Sequence, residues 1–320
     1  MIAYDNVRRT TFARSMVMTL LILSVFACNR QSPPPVTIGE SDADIVFVSY
    51  RLESKGWLYL IDTNSKREAQ IQGTNASTPD PPAWSPDGQA LAFVAIPFYK
   101  DSEESDYECG IGITIIDAQG HLRAFGPCRL SPAWSSDGQY LAFRKFSTKD
   151  NSSSICVARI NGSDEKELVT NLPYYSEGNR ISTIRISWSP DGRYLVYDNQ
   201  DVSGTWHIWT VASDGGPPHR LTSGRYPDWS PLGDEIAFSR DGRIVVISVN
   251  DGSEDSVNVP VYARWPDWSP DGQQLVFVGD RGEDSEIYIV NRDGSEVEKL
   301  TDNSYWDGYP AWRPARLNAD

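Results

Sequence analysis

The sequence predicts an all-β fold: a six-bladed β-propeller of four-stranded blades, with the ring closed by the C-terminal strand. The first observation is a repeated pentapeptide, Trp-Ser followed by Pro or Ser, usually Asp, and Gly. Full copies begin at Trp84, Trp134, Trp188, Trp229 and Trp268, and a shortened copy begins at Trp312. These tryptophans stand 39 to 54 residues apart, a period typical of propeller blades or solenoid units.

The second observation is the pattern between copies. A short apolar run follows each full pentapeptide, as in residues 91–93, and a second apolar run comes later, as in residues 287–290. A turn such as Asp293-Gly294 then leads into a third short strand. Together with the next Trp strand this gives four strands per repeat and almost no helix signal, which indicates a propeller.

The third observation is that the two chain ends complement each other. Residues 45–48 form an apolar run with no Trp turn before it, and Trp312 has no apolar run after it. We therefore expect Trp312 to lie on the innermost strand of the first blade, which removes the free edges of the ring. The turn itself needs Pro, Asp and Gly for its backbone, so these residues are assigned to structure rather than to catalysis.

The N-terminus is typical of an export signal. Three arginines precede the apolar run 16–27, whose 12 residues would span about 18 Å as a helix, too short for a bilayer. Residues 25–28 resemble a bacterial lipobox that ends at Cys28, although Phe26 departs from its usual small residue. We expect cleavage before Cys28, lipid attachment there, and a location facing the periplasm or cell exterior. The alternative is an ordinary secretory signal with a coincidental cysteine.

These features divide the chain into a signal peptide over residues 1–27, a Pro-rich tether over 28–43, a propeller over 44–316 and a tail over 317–320. The chain has 29 basic and 44 acidic side chains, a net charge of −15. Such a surface repels phosphate backbones and excludes nucleic acid as a main partner. We expect a monomer held to a membrane through Cys28.

Three further cysteines follow the signal. Cys109 and Cys128 flank a predicted hairpin and are expected to form a disulfide, which export permits. Cys156 is expected to be a small buried apolar residue. The sequence has no Gly-x-Ser-x-Gly nucleophile motif and no metal-site spacing, so no metal or other cofactor is expected.

The pattern Pro-x-Trp-Ser-Pro-Asp-Gly-x-x-Leu-Ala-Phe resembles the TolB-type, WD-like propeller repeat over about residues 44–314. The resemblance implies a six-bladed propeller in an extracytoplasmic bacterial protein. It also implies a channel mouth that docks partners, because TolB binds a peptidoglycan-associated lipoprotein there. TolB carries an α/β domain before its propeller, whereas here about 15 residues separate Cys28 from the first strand. The resemblance therefore covers the propeller alone.

The repeats differ one and three residues before Trp, where the fold has no evident requirement. Asp228 and Asp267 stand one residue before Trp, and Tyr226, Trp265 and Tyr309 stand three before. Strand alternation predicts that both positions lie on the face opposite Trp. We expect these five residues to form a binding surface of aromatic platforms and carboxylates at the channel mouth, for a peptide, glycan or cation. The alternative is that they pack between blades or face solvent.

Other candidates are Tyr305, Trp306 and Asp307, which extend the same arc, and the insertions 97–108 and 171–184. The favoured function is a non-catalytic, extracytoplasmic binding or scaffold lipoprotein that engages an envelope protein, peptide or glycan. One alternative is a glycan hydrolase or lyase that uses Asp228 and Asp267 as its carboxylates. A third possibility is a purely structural envelope protein.

Overall fold

The computed structural model describes residues 35–52, 55–74, 80–95, 111–147, 152–173, 176–177, 180–181, 183–280 and 284–315. The predicted signal peptide, the start of the tether, the tail and the insertion 97–108 lie outside these residues. A 3₁₀ turn at Ile38–Glu40 precedes the first strand. Among the described residues, no helix has the length and apolar character needed to cross a bilayer.

The strands of the first half of the chain are β1 (Ile45–Leu52), β2 (Lys55–Ile61), β3 (Glu68–Gln70), β4 (Ala83–Trp84), β5 (Ala90–Ala95), β6 (Gly112–Asp117), β7 (Leu122–Pro127), β8 (Arg129–Trp134), β9 (Tyr140–Ser147), β10 (Ser152–Arg159), β11 (Lys166–Pro173), β12 (Ser176–Glu177) and β13 (Arg180–Ile181). Those of the second half are β14 (Ile186–Trp188), β15 (Tyr194–Gln200), β16 (Trp206–Ala212), β17 (His219–Ser223), β18 (Arg225–Trp229), β19 (Glu235–Arg240), β20 (Arg243–Ser248), β21 (Glu254–Val257), β22 (Tyr262–Trp268), β23 (Gln274–Asp280), β24 (Ser285–Asn291), β25 (Glu298–Lys299) and β26 (Asp307–Trp312).

The strands form six four-stranded antiparallel sheets, which we number as blades 1 to 6. From the inner to the outer edge these are β26-β1-β2-β3, β4 to β7, β8 to β11, β14 to β17, β18 to β21 and β22 to β25. The short hairpin β12–β13 is a separate two-stranded sheet. The predicted all-β, six-bladed propeller is therefore confirmed.

Closure of the ring is also as predicted. Strand β26 pairs antiparallel with β1, with Trp312 opposite Ile45 and Asp307 opposite Ser49. The Ser49 hydroxyl donates a hydrogen bond to the Asp307 carboxylate across this seam, and both side chains are fully buried. Blade 1 thus contains both ends of the propeller, and the inner edge of β1 is paired by β26.

The Trp-Ser turns hold their shape by local hydrogen bonds. In blade 2 the Ser85 hydroxyl donates to Asp87 Oδ1, the Gln89 amide donates to the same oxygen, and Ala90 N donates to Ser85 Oγ. Gly88 adopts φ +64°, in the left-handed region that glycine favours. The turns of blades 3, 4 and 6 repeat the Ser-to-Asp bond. The Asp residues are thus accounted for by turn geometry.

The end of the predicted tether differs from the prediction, because residues 36–43 pack on the propeller. Val36 N donates to the carbonyl of Gln70 (2.9 Å) and its own carbonyl accepts from Gln72 N (3.0 Å), next to the outer edge of blade 1. Gly39 N donates to the carbonyl of Ala118 in blade 2 (2.9 Å), and Ile38 is fully buried. The physical reason is that burial of Val36 and Ile38 favours attachment over a solvated tether.

Arg313 connects this N-terminal segment to the closing strand. Its guanidinium donates to the carbonyls of Ser41 (2.8 Å), Ile38 (3.2 Å) and Gly88 (2.7 Å), and it lies 4.7 Å from the ring centroid of Trp84. One buried cation therefore joins residues 38–41, the first Trp-Ser turn and the strand that closes the ring.

A substitution at Ile38 tests whether this segment contributes to stability. Replacing Ile38 by Ala is expected to lower the free energy of unfolding by about 2–5 kcal/mol, since it removes buried methylene groups and leaves a cavity. The measurement is urea unfolding followed by Trp fluorescence, with Val202→Ala, at a fully exposed position, as the control. A midpoint equal to that of the control would return residues 36–43 to the role of a loose tether.

The described cysteines have distinct roles. Cys128 is disulfide-bonded. Its expected partner, Cys109, lies outside the described residues, so the pairing stays a prediction. Cys156 is free and fully buried, and burial raises the pKa of its thiol to about 12. Cys156 therefore acts as a small apolar core residue, as predicted.

Candidate functional site

A β-bulge in the inner strands separates the two positions predicted to share a face. In blades 3, 5, 6 and 1 the register shifts just before Trp, for example between Arg225 and Asp228. The residue three before Trp takes a positive φ in each: Ser131 (54°), Tyr226 (58°), Trp265 (56°) and Tyr309 (53°). Positive φ is uncommon for residues other than glycine, and a bulge turns a side chain away from simple alternation.

On the side of the Trp-Ser turns, the inner strands surround a central cavity of about 320 Å³. Its wall includes the Trp of every blade: Trp84, Trp134, Trp188, Trp229, Trp268 and Trp312. Between them lie small side chains such as Ala83, Ala133 and Ser187. Arg185, Asp228 and Asp267 also line this cavity and supply its ionisable groups.

Arg185, Asp228 and Asp267 form a buried ion cluster contributed by three adjacent blades. Arg185 Nη2 lies 3.3 Å from Asp228 Oδ1 and donates to Asp267 Oδ2. The remaining oxygens accept backbone amides of the next blades, Asp228 Oδ2 from Trp268 N (2.8 Å) and Asp267 Oδ1 from Trp312 N (2.7 Å). All three residues are at most 8% exposed. The cluster therefore links four blades around the cavity.

Burial dominates the titration of Asp267 in this cluster. Desolvation, followed by the neighbouring Asp228 charge, raises the pKa of Asp267 to about 7, while Arg185 and the Trp312 amide oppose that shift. Burial penalises the charged carboxylate, and a proton at Asp267 also removes one of two close negative charges, so both effects raise the pKa of Asp267.

The predicted aromatic platforms contact one another instead of lining the cavity. The rings of Tyr226 and Trp265 stack with centroids 3.5 Å apart, and Trp265 meets Tyr309 edge to face at 4.5 Å. None of the three is more than 8% exposed. We call them the aromatic trio. The five predicted site residues thus separate into two groups, because the bulge lies between the two Asp and the three rings in sequence.

The three residues predicted to extend this arc, Tyr305, Trp306 and Asp307, also do not line the central cavity. Trp306 packs against Tyr309 with centroids 5.2 Å apart, and Asp307 is fully buried in the closing seam. Tyr305 is exposed and lies 5.9 Å from the Arg51 guanidinium. Of the two insertions, 97–108 lies outside the described residues and 171–184 is described only in part.

Sequence reasoning missed Arg185 as a member of the site. The available signal was that Arg185 stands three residues before Trp188, the position occupied by Tyr226, Trp265 and Tyr309 in other blades. A lone cation among inner-strand positions that also carry two carboxylates predicts an ion pair. Its reach across two neighbouring blades is a property of the assembled ring.

The raised pKa values of four buried carboxyl groups predict how the stability of the fold depends on pH. Desolvation is the largest cause in each, and it raises the pKa of Asp80 and Asp267 to about 7 and of Asp198 and Asp307 to about 6. Because these pKa values exceed the ordinary value of 3.8, the folded state binds the four protons more tightly than the unfolded state does. The stabilisation is fully present below about pH 3.8. This contribution is lost as pH rises towards 7, by up to about 1.4 kcal/mol per pH unit and group.

We therefore expect the midpoint of urea unfolding to decrease as the pH is raised from 5 to 8. Asp80→Asn is expected to flatten the slope, because an amide mimics the protonated carboxyl that accepts from Ser131 N (2.7 Å). The control is Asp251→Asn, since exposed Asp251 has a pKa lowered to about 2 by the Ser253 amide and titrates below this window. A midpoint that rises over this range contradicts the prediction.

No group of three or more His, Cys, Asp or Glu side chains suited to a metal ion occurs within the described residues. The described residues that line the cavity provide the ion cluster, serine hydroxyls, indole N–H groups and an apolar wall.

Comparison with known proteins identifies the family. Residues 39–251, well over half of the chain, match the TolB beta propeller domain. With its six four-stranded blades and repeated Trp-Ser turns, this chain belongs to the TolB beta propeller domain family.

Solved structures agree at the level of the fold. The chain is similar to TolB from Acinetobacter baumannii, with a TM-score of 0.68, 20% identity, and coverage of 85% of this chain and 66% of that one. A putative TolB from Agrobacterium tumefaciens matches with a TM-score of 0.59 at 20% identity, covering 85% of this chain and 99% of that chain. Among curated proteins, the uncharacterized protein Atu1656 of Agrobacterium fabrum is 42% identical over 55 residues, 16% of this chain and 18% of that protein.

Proposed function

We propose that this propeller is a binding module that takes a polypeptide segment of a partner protein at the mouth of its channel. The observation that supports this most directly is the central cavity, walled by six tryptophans and containing the buried ion cluster. Ligand sites are typically concave and apolar with a few convergent polar groups, which is the composition found here. The fold family is compatible with this role.

The hydrogen bonds of the carboxylates favour binding over catalysis. A retaining or inverting glycosidase needs one carboxyl group as an acid and another as a nucleophile or base. Here both oxygens of Asp228 and of Asp267 accept from, or lie against, Arg185 and the backbone amides of Trp268 and Trp312. These engagements hold the blades together and leave neither carboxylate directed at a substrate.

A peptide fits the wall of the cavity better than a glycan does. Sugars stack on exposed aromatic faces, whereas none of the six cavity tryptophans is fully exposed. Trp84, Trp229 and Trp268 are at most 8% exposed. The other three, Trp134, Trp188 and Trp312, are half-buried. Four donors of the residues that line this cavity are buried without a hydrogen-bond partner among the described residues: Trp84 Nε1, Trp268 Nε1, Trp312 Nε1 and Arg185 Nη1. Unpaired buried donors favour a ligand rich in acceptors, and main-chain carbonyls supply them.

The location that accompanies this function is the bacterial envelope. The arginines, the apolar run and the lipobox-like residues 25–28 support export with a lipid anchor at Cys28. The disulfide at Cys128 fits an oxidising compartment. Its partner in this proposal is an envelope protein, and the net charge of −15 favours a basic segment.

The test is capture of a partner by the full-length chain in detergent from solubilised envelopes, compared with Ala83→Phe. Ala83 lines the cavity, so the larger side chain is expected to fill it. We expect a stoichiometric protein partner on the wild-type chain and at least a ten-fold loss on Ala83→Phe, with circular dichroism unchanged. Equal capture by both, or no stoichiometric protein on the wild-type chain, contradicts the proposed function.

A further inference from the structure

The grooves between blades can be compared because one position on each outermost strand is equivalent. In blades 2 to 6 the residue at this position pairs with a residue of the third strand. That residue pairs in turn with the middle residue of the apolar run on the second strand, which follows the Trp-Ser turn. The residues at this position are Arg123, Lys166, His219, Asp255 and Glu298. We call it the bridge position.

Four of these residues contact the following blade. Arg123 Nη1 donates to the carbonyl of Ile160 (2.8 Å), and Lys166 Nζ donates to the carbonyl of Asp214. Asp255 and Glu298 instead receive cations from the next blade. Asp255 lies 3.4 Å from Arg292 Nη1, and Glu298 lies 2.6 Å from Lys66 Nζ. Between blades 1 and 2 the amide of Gly39 reaches Ala118, so this groove is crossed as well.

His219, in blade 4, makes no such contact with the described residues of blade 5. A contact between the outermost strands of these two blades lies further along β17, where Thr222 Oγ1 donates to Glu254 Oε1 (2.8 Å). The groove between blades 4 and 5, which His219 lines, has a volume of about 920 Å³. The equivalent groove between blades 3 and 4, which Lys166 crosses, has a volume of about 370 Å³. We call the larger one the open groove.

The Trp-Ser turn beside the open groove carries an apolar residue where the equivalent turns of the other blades carry Asp. Leu232 occupies the position at which the other full pentapeptides have Asp, and its side chain is 62% exposed. In this turn Ser230 Oγ accepts the Leu232 amide, so the turn forms without the usual Asp. Tyr194 and Val249, also exposed, line the same groove with Leu221. The turn therefore does not require Leu232, and an exposed apolar cluster of this kind is typical of an interaction surface.

Charge around the open groove indicates the type of partner. Its lining contains three carboxylates, Asp191, Asp234 and Glu254, and His219 as the one residue that can carry a positive charge. Glu254 is paired with Arg240, whereas Asp234 is exposed at the rim. A second copy of this chain, with a net charge of −15, is repelled by this rim, whereas a basic segment is attracted.

We infer that the open groove binds a segment of a partner that carries an apolar side chain next to Lys or Arg. The apolar side chain lies against Leu232, Tyr194 and Val249, and the basic residue faces Asp191 and Asp234. Because Ser189, Pro190 and Trp229 line both the open groove and the central cavity, one extended segment can occupy both. The inference deepens the proposed function and depends on it only for that continuity.

The test is selection of displayed random 12-residue peptides on the immobilised full-length chain, followed by affinity measurements on three variants. Leu232→Asp restores the residue found in the other full turns, so the fold is expected to persist. Val202→Asp makes the same kind of change at a fully exposed position outside the groove. Ala83→Phe fills the central cavity. We expect selected peptides to carry Leu, Ile or Phe within two residues of Lys or Arg.

These peptides are expected to bind Leu232→Asp at least ten-fold more weakly, to bind Val202→Asp as the wild type, and to weaken in 0.5 M salt. If Leu232→Asp keeps wild-type affinity while Ala83→Phe loses it, the groove inference is overturned and the proposed function stands. If Leu232→Asp alone loses affinity, the groove is supported without the cavity. Selected peptides that lack the apolar-basic pair, or self-association of the chain that Leu232→Asp abolishes, would overturn the stated partner.

Discussion

Replacing Arg185 by Met is expected to lower the free energy of unfolding by about 3–5 kcal/mol, because it leaves Asp228 and Asp267 buried without their cation. The three residues are contributed by three blades, and the carboxylates also hold the Trp amides of blade 6 and of the closing strand. Loss of the cation therefore affects four blades. Urea unfolding at pH 7 with Trp fluorescence measures the effect.

The matched control for this variant is Arg243→Met, at an exposed position, for which we expect a change within about 0.5 kcal/mol. Acidification supplies a second readout. Without Arg185, protonation is the remaining way to neutralise the two carboxylates, so the variant should regain stability between pH 7 and pH 5 more steeply than the wild type. An unchanged midpoint at pH 7 would show that the cluster is not structural.

Removing residues 307–320 is expected to abolish cooperative unfolding altogether. Strand β1 then keeps β2 but loses its inner partner β26, and the buried seam residues Ile45 and Val46 face solvent. An unpaired inner edge is also a template for aggregation. The measurement is urea unfolding together with size-exclusion chromatography.

The control for that truncation removes residues 316–320 alone, which lie beyond the closing strand, and we expect it to unfold like the full chain. A cooperative transition at the wild-type midpoint after removal of 307–320 would mean that the ring is stable without its seam. A cooperative transition at a lower midpoint would measure the combined contribution of the closing strand and Arg313.

The blades could be predicted from sequence because each residue of the repeat satisfies a local requirement. The Trp-Ser turns depend on contacts within five residues, such as Ser85 with Asp87 and Ala90, and such local chemistry recurs with the sequence. Closure was equally accessible, since the missing Trp turn before residue 45 and the missing run after Trp312 identify each other.

The site was harder to predict because it depends on contacts between blades. Strand alternation grouped Tyr226 with Asp228, whereas the bulge between them directs the ring to the aromatic trio and the carboxylate to the cavity. A local signal was available, because the inner strand of blade 4, which is regular, has Ile186 two residues before Trp, whereas the bulged strands have Pro there: Pro132, Pro227, Pro266 and Pro310. Residues 36–43 were misassigned for a related reason, since the surface that Ile38 packs against is formed by distant parts of the chain.

The buried guanidinium of Arg313 has a consequence for the order of folding. Its bonds to Ile38 and Gly88 join residues 275 and 225 positions away along the chain. Contacts of such separation form late, since the loop entropy must be overcome before they stabilise anything. During synthesis and any passage across a membrane, blades 2 to 6 have all their strands before residue 313 emerges. The ring therefore closes last, and the N-terminal segment acquires its final attachment only when the whole chain is present.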